Sequence, residues 1–197
     1  MKPLAFTWPY ALVYWAVFVW AFAPEFGIVR KAQRSAKAGN TMDAGSLRVI
    51  LLGMNLAYIA AFPLAFVRRL QYPAALQLPM FVAGLLVLIL GSLLRRHCWR
   101  VLGASFTGDV QARPDQQVIT AGAYAYVRHP SYTGGLLMNT GMGLALGSWA
   151  PGLLMFVVSF LVYRYRMIVE ERALLDAIGE PYRDYLRGRK RLCPYVY

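Results

Sequence analysis

The chain alternates long uncharged blocks with short basic segments, and this alternation is its dominant pattern. Five apolar blocks stand out, and they cover residues 10–29, 49–67, 70–94, 131–148 and 152–163. A helix that spans a membrane needs roughly 20 mostly apolar residues. The first four blocks reach this length, and the fifth reaches it if the helix begins near residue 149 and ends near residue 167. The pattern therefore predicts an all-α integral membrane protein with about five transmembrane helices.

Proline, glycine and charged residues between the blocks suggest how this single membrane domain is divided. The predicted parts of residues 1–197 are two N-terminal helices over 1–70, a third helix over 79–96, a cytoplasmic loop over 97–130, a tight helical hairpin over 131–167, and a C-terminal cytoplasmic helix and tail over 168–197. Ile168, Leu174 and Ile178 recur at helical spacing beside charged residues, so the C-terminal helix is predicted to be amphipathic and to lie at the interface. Loops as long as 97–130 are usually functional inside a compact protein.

Composition supports a membrane protein and also suggests its orientation. The chain is 58% hydrophobic with a mean hydropathy of +0.43, whereas a soluble domain of this size needs a more polar surface. If the N-terminus is outside, 18 of the 21 Lys and Arg residues fall on one side, and only Lys2, Arg68 and Arg69 lie opposite. The positive-inside rule makes the basic side cytoplasmic, in an inner, plasma or endoplasmic-reticulum-type membrane. Anionic lipid headgroups then explain the net charge of +12 better than a nucleic acid does.

The two cysteines and the histidines give no sign of a disulfide or a metal. Cys98 and Cys193 both fall on the predicted cytoplasmic side, where structural disulfides are rare. Neither cysteine belongs to a Cys/His spacing that is typical of a metal site. His97, next to Cys98, is interpreted as an interfacial residue, so no metal is predicted.

Two polar clusters carry the candidate chemistry. Residues 122–132 combine tyrosines, Arg128 and His129, a composition that on its own is typical of an interfacial loop. Residues 166–185 begin with an arginine and two glutamates, which alone are typical of a solvated helix end. The predicted hairpin brings both clusters to the same membrane face, so they become neighbours. Ionisable groups gathered at membrane depth indicate a functional site.

The two clusters also carry a family resemblance. The residues concerned are Gly122, Tyr124, Arg128, His129, Pro130, Tyr132, Gly134, Glu170, Glu171, Leu174, Gly179, Tyr182, Tyr185, Arg191 and Pro194. This arrangement, over roughly residues 95–194, resembles the isoprenylcysteine carboxyl methyltransferase family. More broadly, it is similar to the membrane methyltransferases that include the phospholipid N-methyltransferases. Ala123 departs from the pattern, because many members have proline there, and this departure bears on loop rigidity more than on chemistry.

The resemblance implies methyl transfer from S-adenosylmethionine, with a cofactor pocket formed by the loop over 97–130 and the last helices. The cofactor-binding residues that it implies are Tyr124, Val127, Arg128, His129, Tyr132 and Glu170 or Glu171. The arginine and histidine can hold the cofactor's carboxylate, and a glutamate can accept its amino group or ribose hydroxyls. The aromatic rings can stack on adenine or face the sulfonium.

The catalytic candidates depend on the methyl acceptor. A lipid-like or isoprenylcysteine-type carboxylate is already ionised at neutral pH, so the enzyme must mainly align it and exclude water. Arg191 or Arg166 is the candidate to hold such a carboxylate. A phospholipid amine instead requires a general base, and Glu170 or Glu171 is then the candidate. The residues allow either acceptor.

Two other classes of protein compete with this interpretation. The C-terminal regions of NADPH-dependent sterol reductases are similar, but those membrane enzymes usually have more spans. A small lipid-binding or assembly protein without activity is the non-enzymatic alternative. Binding of S-adenosylmethionine rather than NADPH distinguishes a methyltransferase from a sterol reductase. Complete absence of cofactor binding indicates the protein without activity.

Overall fold

The computed structural model describes residues 2–37, 43, 45–103, 117–194 and 197. Its six α-helices are α1 (Tyr10–Lys37), α2 (Ser46–Leu64), α3 (Ala74–Leu102), α4 (Pro130–Leu144), α5 (Trp149–Ile178) and α6 (Glu180–Gly188). Two isolated β-bridges are the only extended pairings within these residues. The predicted all-α membrane fold is confirmed.

Four of the helices are long and apolar enough to cross a membrane: α1 up to Arg30, α2, α3 and α5. The fourth predicted span, residues 131–148, corresponds to α4, which has only 15 residues and is about 22 Å long at 1.5 Å per residue. This is shorter than the roughly 30 Å hydrocarbon core. Packing accounts for the difference, since α4 is enclosed by α3 and α5 and its length is therefore not set by contact with lipid.

Glycines allow α3 and α4 to pack with their backbones in close approach. A Cβ atom on Gly84 would lie 2.5 Å from the backbone nitrogen of Ala145, and one on Gly91 would lie 2.6 Å from the carbonyl oxygen of Gly134. Either atom would force the helices apart. Small residues at helix contacts are typical of membrane proteins, where association depends on close van der Waals packing.

A buried polar network joins the helices around this contact. The Tyr58 hydroxyl on α2 donates to Asn139 Oδ1 on α4 at 2.7 Å. Asn139 Nδ2 in turn donates to the Tyr163 hydroxyl on α5 at 3.2 Å. Polar groups inside a membrane domain need such partners because lipid offers none.

Helix boundaries differ from the predicted ones in three places. Helix α3 begins at Ala74 and continues to Leu102, so the predicted loop over 97–130 starts with six helical residues. Its residues 104–116 lie outside the described part of the chain. Helix α5 is continuous from Trp149 to Ile178, so no boundary separates the hairpin from the helix predicted after residue 167.

The two ends of the helical bundle are chemically different. At one end, the Tyr72 N–H donates to Gly147 O at 3.2 Å, and the Ser148 hydroxyl donates to Leu70 O at 2.6 Å. The opposite end holds the residues just before α4, the last turns of α5, and α6. The candidate site lies entirely at this second end.

Candidate active site

The described part of the loop before α4 turns tightly at Gly122. Its φ angle is +59°, and a Cβ atom there would lie 2.7 Å from His97 Nε2. The backbone conformation and the close approach both favour glycine. A short 3-10 turn, Gly122–Ala125, follows and buries the side chain of Tyr124. The loop is therefore fixed against α3 before it reaches the histidine.

The C-terminal segment after α6 pairs with this loop through its backbone. Val127 and Lys190 form a parallel β-bridge. The Arg128 N–H donates to Lys190 O at 2.8 Å, and the His129 N–H donates to Arg191 O at 2.9 Å. These bonds set Arg191 beside His129, although 61 residues separate them in the chain.

Helix α6 holds the other side of the loop. The Tyr185 hydroxyl lies 2.9 Å from Tyr124 O and 3.4 Å from Val127 O, and it donates towards these carbonyls. The Arg189 guanidinium lies 4.6 Å from the centre of the Tyr185 ring, and its Nε donates to Ala125 O at 2.9 Å. Burial raises the pKa of Tyr185 to about 12, so its hydroxyl stays a donor at neutral pH.

Three charged or titratable side chains meet at the carboxylate of Glu171, and we call these four residues the Glu171 cluster. Arg128 Nη1 lies 3.0 Å from Glu171 Oε1, and His129 Nε2 lies 3.1 Å from the same oxygen. Arg191 Nη2 donates to Oε2 at 2.7 Å. His129 is 4% exposed and Glu171 is 6% exposed. The cluster thus joins the loop, the end of α5 and the C-terminal segment.

The Glu171 cluster carries more positive than negative charge. One carboxylate faces two guanidinium groups and a histidine. Hydrogen bonding to Glu171 raises the pKa of Arg191, so this arginine remains charged. Arg128 Nε is a buried donor that has no acceptor among the described residues. Buried donors of this kind are uncommon without a ligand, and a cluster with spare cationic donors fits an anionic group.

A second set of contacts runs from α5 to the start of α2. The Tyr132 hydroxyl donates to Glu170 Oε2 at 2.8 Å, and Arg166 Nε donates to the Tyr132 oxygen at 3.2 Å. Arg166 also forms an ion pair with Asp43 and donates from Nη1 to Ser46 Oγ at 2.7 Å. We call the contacts of Arg166 with Asp43 and Ser46 the Arg166–Asp43 tie.

The family model for phospholipid methyltransferases matches residues 79–180, which are just over half of the chain. The chain belongs to the phospholipid methyltransferase family. The match includes most of α3, the loop after it, and all of α4 and α5, and it therefore contains three of the four members of the Glu171 cluster.

Among individual proteins, the chain is similar to isoprenylcysteine methyltransferases. The chain is 26% identical over 189 residues to the rat protein-S-isoprenylcysteine O-methyltransferase, with 92% of this chain and 66% of the relative covered. It is 35% identical over 100 residues to the Schizosaccharomyces pombe enzyme of the same name, with 50% of this chain and 42% of that enzyme covered. The chain thus spans less than two thirds of the length of these relatives. The resemblance to the isoprenylcysteine carboxyl methyltransferases is confirmed.

A solved structure shows the same relationship. The eukaryotic intramembrane Ras methyltransferase, an isoprenylcysteine carboxyl methyltransferase, aligns with a TM-score of 0.65 and 27% sequence identity. The alignment covers 73% of this chain and 52% of the solved one.

The structure brings most of the predicted site residues of this family member together. Val127, Arg128 and His129 follow one another in the loop, Tyr124 is buried just before them, and Glu171 and Arg191 join them through the cluster. Tyr132 and Glu170 lie alongside and bind each other. Their assignment to the cofactor stays a prediction.

Arg166 is set apart from the other predicted catalytic residues. Its side chain is 3% exposed and faces Asp43 and Ser46 on the α2 side of the bundle. Arg191, by contrast, is 25% exposed at its side chain and belongs to the Glu171 cluster. As an anchor for a substrate carboxylate, Arg191 is the better placed of the two.

Sequence reasoning missed several contacts that organise the site. Asp43 and Ser46 lie far upstream, and their pairing with Arg166 has no local sequence signal. Tyr185 belongs to the family pattern, but the sequence does not indicate that its hydroxyl holds the loop. The pairing of Glu25 with Arg95 was also missed. The signal for Glu25 was available, because it is the only acidic residue in the first apolar block.

Proposed function

We propose that this chain transfers a methyl group from S-adenosylmethionine to the carboxylate of a lipid-like or isoprenylcysteine-type acceptor at the cytoplasmic membrane interface. Membership of the phospholipid methyltransferase family supports the reaction class. The names of the rat and yeast relatives support an isoprenylcysteine-type acceptor. Position supports the interface, since the Glu171 cluster lies where α5 leaves its apolar segment.

The single observation that carries the proposal is the unmatched positive charge of the Glu171 cluster. Its orphaned donor, Arg128 Nε, suits the carboxylate of an amino-acid moiety, with His129 beside it. Glu170 or Glu171 offers oxygen acceptors for an amino group or for ribose hydroxyls. Tyr124, Val127 and Tyr132 supply apolar surface for the remainder. The residues present therefore fit S-adenosylmethionine, which supplies an electrophilic methyl group when it is bound.

With a carboxylate acceptor, the chain's own residues have little proton chemistry to do. S-adenosylmethionine, held by Arg128, His129 and Glu170 or Glu171, would supply the methyl group, and a carboxylate acceptor would already carry the negative charge that the transfer requires. No proton moves, so the residues act by orienting the acceptor and excluding water. Arg191 is the predicted residue to hold the acceptor carboxylate.

A phospholipid amine is the second candidate acceptor, and the description of the matching family model favours it. An amine must lose a proton during methylation, so a general base is required. Glu170 or Glu171 is the candidate base. Incubation with methyl-labelled cofactor, N-acetyl-S-farnesylcysteine and phosphatidylethanolamine vesicles, with mass identification of the product, separates the two acceptors.

The orientation that we propose puts the site end of the bundle in the cytoplasm and the N-terminus outside, in an inner, plasma or endoplasmic-reticulum-type membrane. Basic residues support this orientation through the positive-inside rule. Arg128, Arg166, Arg183, Arg187 and Arg191 all lie at or beyond the site end. Arg68 and Arg69 lie in a short 3-10 turn at the opposite end.

Binding of S-adenosylhomocysteine, measured by calorimetry in detergent and in nanodiscs, tests the proposed cofactor site. The wild-type protein should bind, and Arg128→Met should weaken binding about tenfold to a hundredfold because a charge-assisted hydrogen bond is lost. Arg183→Met is the matched control, because Arg183 is exposed on α6 and pairs with the nearby, exposed Glu180. Absence of binding to the wild type, or equal affinity in Arg128→Met, would overturn the proposal.

A further inference from the structure

A cavity of about 490 Å³ lies inside the membrane part of the bundle. Helices α1 and α2 supply most of its walls, including Phe22, Ile50 and Met54, and α3 to α5 complete it. Its size falls in the range of small-molecule sites, and such sites are mostly apolar with a few polar groups. The lining is not entirely apolar, because Glu25 and Arg95 both contribute to it.

Arg95 and Glu25 form a two-pronged ion pair. Arg95 Nε and Nη2 face the two oxygens of Glu25, with the Nη2 contact at 2.9 Å. The third nitrogen, Nη1, donates to Ser131 O at 3.1 Å and to Ser131 Oγ at 3.0 Å. A guanidinium fork matches a carboxylate in this geometry. The carboxylate position on Arg95 is thus filled by a residue of the chain itself.

Pro24 explains how α1 presents Glu25 to α3. A proline inside a helix removes one backbone hydrogen bond and leaves a carbonyl without its partner four residues earlier, here that of Trp20. Arg96 Nη2 donates to Trp20 O at 2.6 Å, and its guanidinium lies 4.7 Å from the Trp20 ring centre. Side chains of α3 therefore hold α1 at its proline, one residue before Glu25.

The part of the cavity that Arg95 and Tyr163 line adjoins the candidate cofactor site in two ways. Ser131, which binds Arg95, is only two residues after His129 of the Glu171 cluster. Tyr163, which lines the cavity, packs against Tyr132 with ring centres 5.2 Å apart. The first turn of α4 thus separates the cavity from the predicted cofactor residues.

We propose that Glu25 is a specificity-determining residue, which occupies the carboxylate position on Arg95 in the empty enzyme and yields it to the carboxylate of a lipid-like acceptor in this cavity. The inference rests on the proposed function and names the place of its acceptor. The apolar walls then enclose the hydrocarbon part, and Arg95 holds the head next to the cofactor site. Arg95 thereby replaces Arg191 as the anchor of the acceptor carboxylate, because Arg191 stays bound to Glu171 on the other side of the first turn of α4.

Packing and charge both support an exchange of carboxylates. Among the α-helices, α1 has its main contact with α3, and this contact is much smaller than those of α3 with α4 and of α5 with α2 and α4. Its outer surface carries exposed apolar side chains such as Trp20 and Phe26, so α1 can shift within lipid without exposing them to water. Because a guanidinium within a membrane domain needs a counter-charge, Arg95 accepts a ligand carboxylate only as a replacement for Glu25.

Glu25→Gln tests the exchange by removing the competing charge while keeping the shape of the side chain. The dissociation constant of N-acetyl-S-farnesylcysteine, measured without cofactor by calorimetry, should fall about fivefold or more, because the ligand then supplies the missing counter-charge. Its KM should fall in parallel, with kcat within about threefold of the wild type. Glu180→Gln, in an exposed ion pair on α6, is the matched control and should change neither quantity. In Glu25→Gln/Arg95→Gln, the gain in affinity should disappear.

Unchanged or weaker binding of the carboxylate ligand by Glu25→Gln, with S-adenosylhomocysteine affinity retained, would overturn the inference. Binding of S-adenosylhomocysteine by the wild type tests the proposed cofactor site separately from the proposed role of Glu25. The wild type gives a second measurement that needs no variant: it should bind N-acetyl-S-farnesylcysteine at least about tenfold more tightly than the corresponding carboxamide. Equal binding of the acid and the amide, or methylation of phosphatidylethanolamine that depends on Glu25, would also contradict it.

Discussion

The Glu171 cluster and the Arg166–Asp43 tie are both ionic, both partly buried and both attached to α5, yet their charges are arranged differently. In the tie, one guanidinium meets one carboxylate, and both side chains are almost sealed from solvent. In the cluster, one carboxylate meets two guanidinium groups and a histidine, and Arg191 remains partly exposed. In a buried pair of one positive and one negative group, each charge is neutralised by the other within the chain. A partly exposed cluster with an excess of positive groups can also bind an anionic group of a ligand.

The two sets of contacts also join different parts of the chain. The tie connects α5 to the start of α2 across more than 100 residues, and Asp43 additionally accepts the N–H of Leu47 in the first turn of α2 at 2.8 Å. It therefore secures a helix terminus as well as a helix pair. The cluster instead connects a loop, a helix end and a terminal segment that lie at the membrane interface. Segments of this kind commonly carry binding residues on a rigid scaffold.

Replacing Glu171 with alanine is expected to give the largest effect on ligand binding. Three cationic or titratable groups lose their common acceptor, so Arg128, His129 and Arg191 are no longer held together. We expect the affinity for S-adenosylhomocysteine to fall by about a hundredfold or more, since breaking a buried charge network costs several kcal/mol. Calorimetry with purified protein in nanodiscs measures this loss.

Glu180→Ala provides the control for Glu171→Ala, because Glu180 is an exposed residue of α6 whose partner is Arg183. Exposed pairs contribute little, so this variant should bind as the wild type does. A Glu171→Ala protein that remains folded and binds with unchanged affinity would show that the cluster is structural. The contrast with the tie would then be lost.

Replacing Asp43 with alanine should affect the fold rather than the ligand. It leaves the Arg166 guanidinium buried without its carboxylate and removes an acceptor from the start of α2. Breaking a buried ion pair by removing one partner typically costs about 3–5 kcal/mol of stability. Thermal unfolding in detergent should therefore occur at a clearly lower temperature, while the folded fraction keeps its S-adenosylhomocysteine affinity within about threefold.

The double variant Asp43→Asn/Arg166→Met sharpens this test. Removing both charges avoids the cost of an isolated buried charge, so much of the lost stability should return. Arg166 was predicted as a catalytic residue, and the double variant also addresses that prediction. If it is as stable as the wild type but has lost methylation of every acceptor, Arg166 belongs to the catalytic site after all.

The fold class was predictable because lipid imposes a simple length rule on apolar segments. The same rule failed to describe α4, whose surroundings are protein and whose glycines permit close packing. The extent of α5 was underestimated for a related reason. The predicted parts of the chain were divided at residue 167, whereas the charged residues that follow belong to the same helix, which runs to Ile178.

The site was partly predictable because its main residues lie in two dense clusters that a hairpin brings to one membrane face. Arg128, His129 and Glu171 do meet there. Contacts between distant single residues were not predictable, since nothing local marks Asp43 as the partner of Arg166 or Lys190 as the partner of Val127. Pairings of this kind arise from helix packing, which a single sequence does not specify.

Tyr185→Phe should give the smallest effect, because it removes one neutral hydrogen bond that supports the loop without touching either ionic group. The hydroxyl donates towards Tyr124 O and Val127 O, and such a bond contributes about 1 kcal/mol. We expect a decrease in S-adenosylhomocysteine affinity of a few-fold, with the Arg189 guanidinium still able to lie over the phenyl ring. Calorimetry at pH 7.5 measures this decrease, and a loss as large as that of Glu171→Ala would contradict it.

The pH dependence of stability distinguishes a buried Tyr185 from an exposed one. Burial raises its pKa from 10.0 to about 12 in the folded protein, so the unfolded chain loses this proton first as the pH rises. The contribution of the neutral hydroxyl is therefore fully present below pH 10 and is lost as the pH rises through about 12. The unfolding temperature of the wild type should fall more steeply than that of Tyr185→Phe between these values, and the two should run parallel from pH 7 to 9. Parallel curves across the alkaline range would mean that the Tyr185 hydroxyl is exposed and that the loop is held without it.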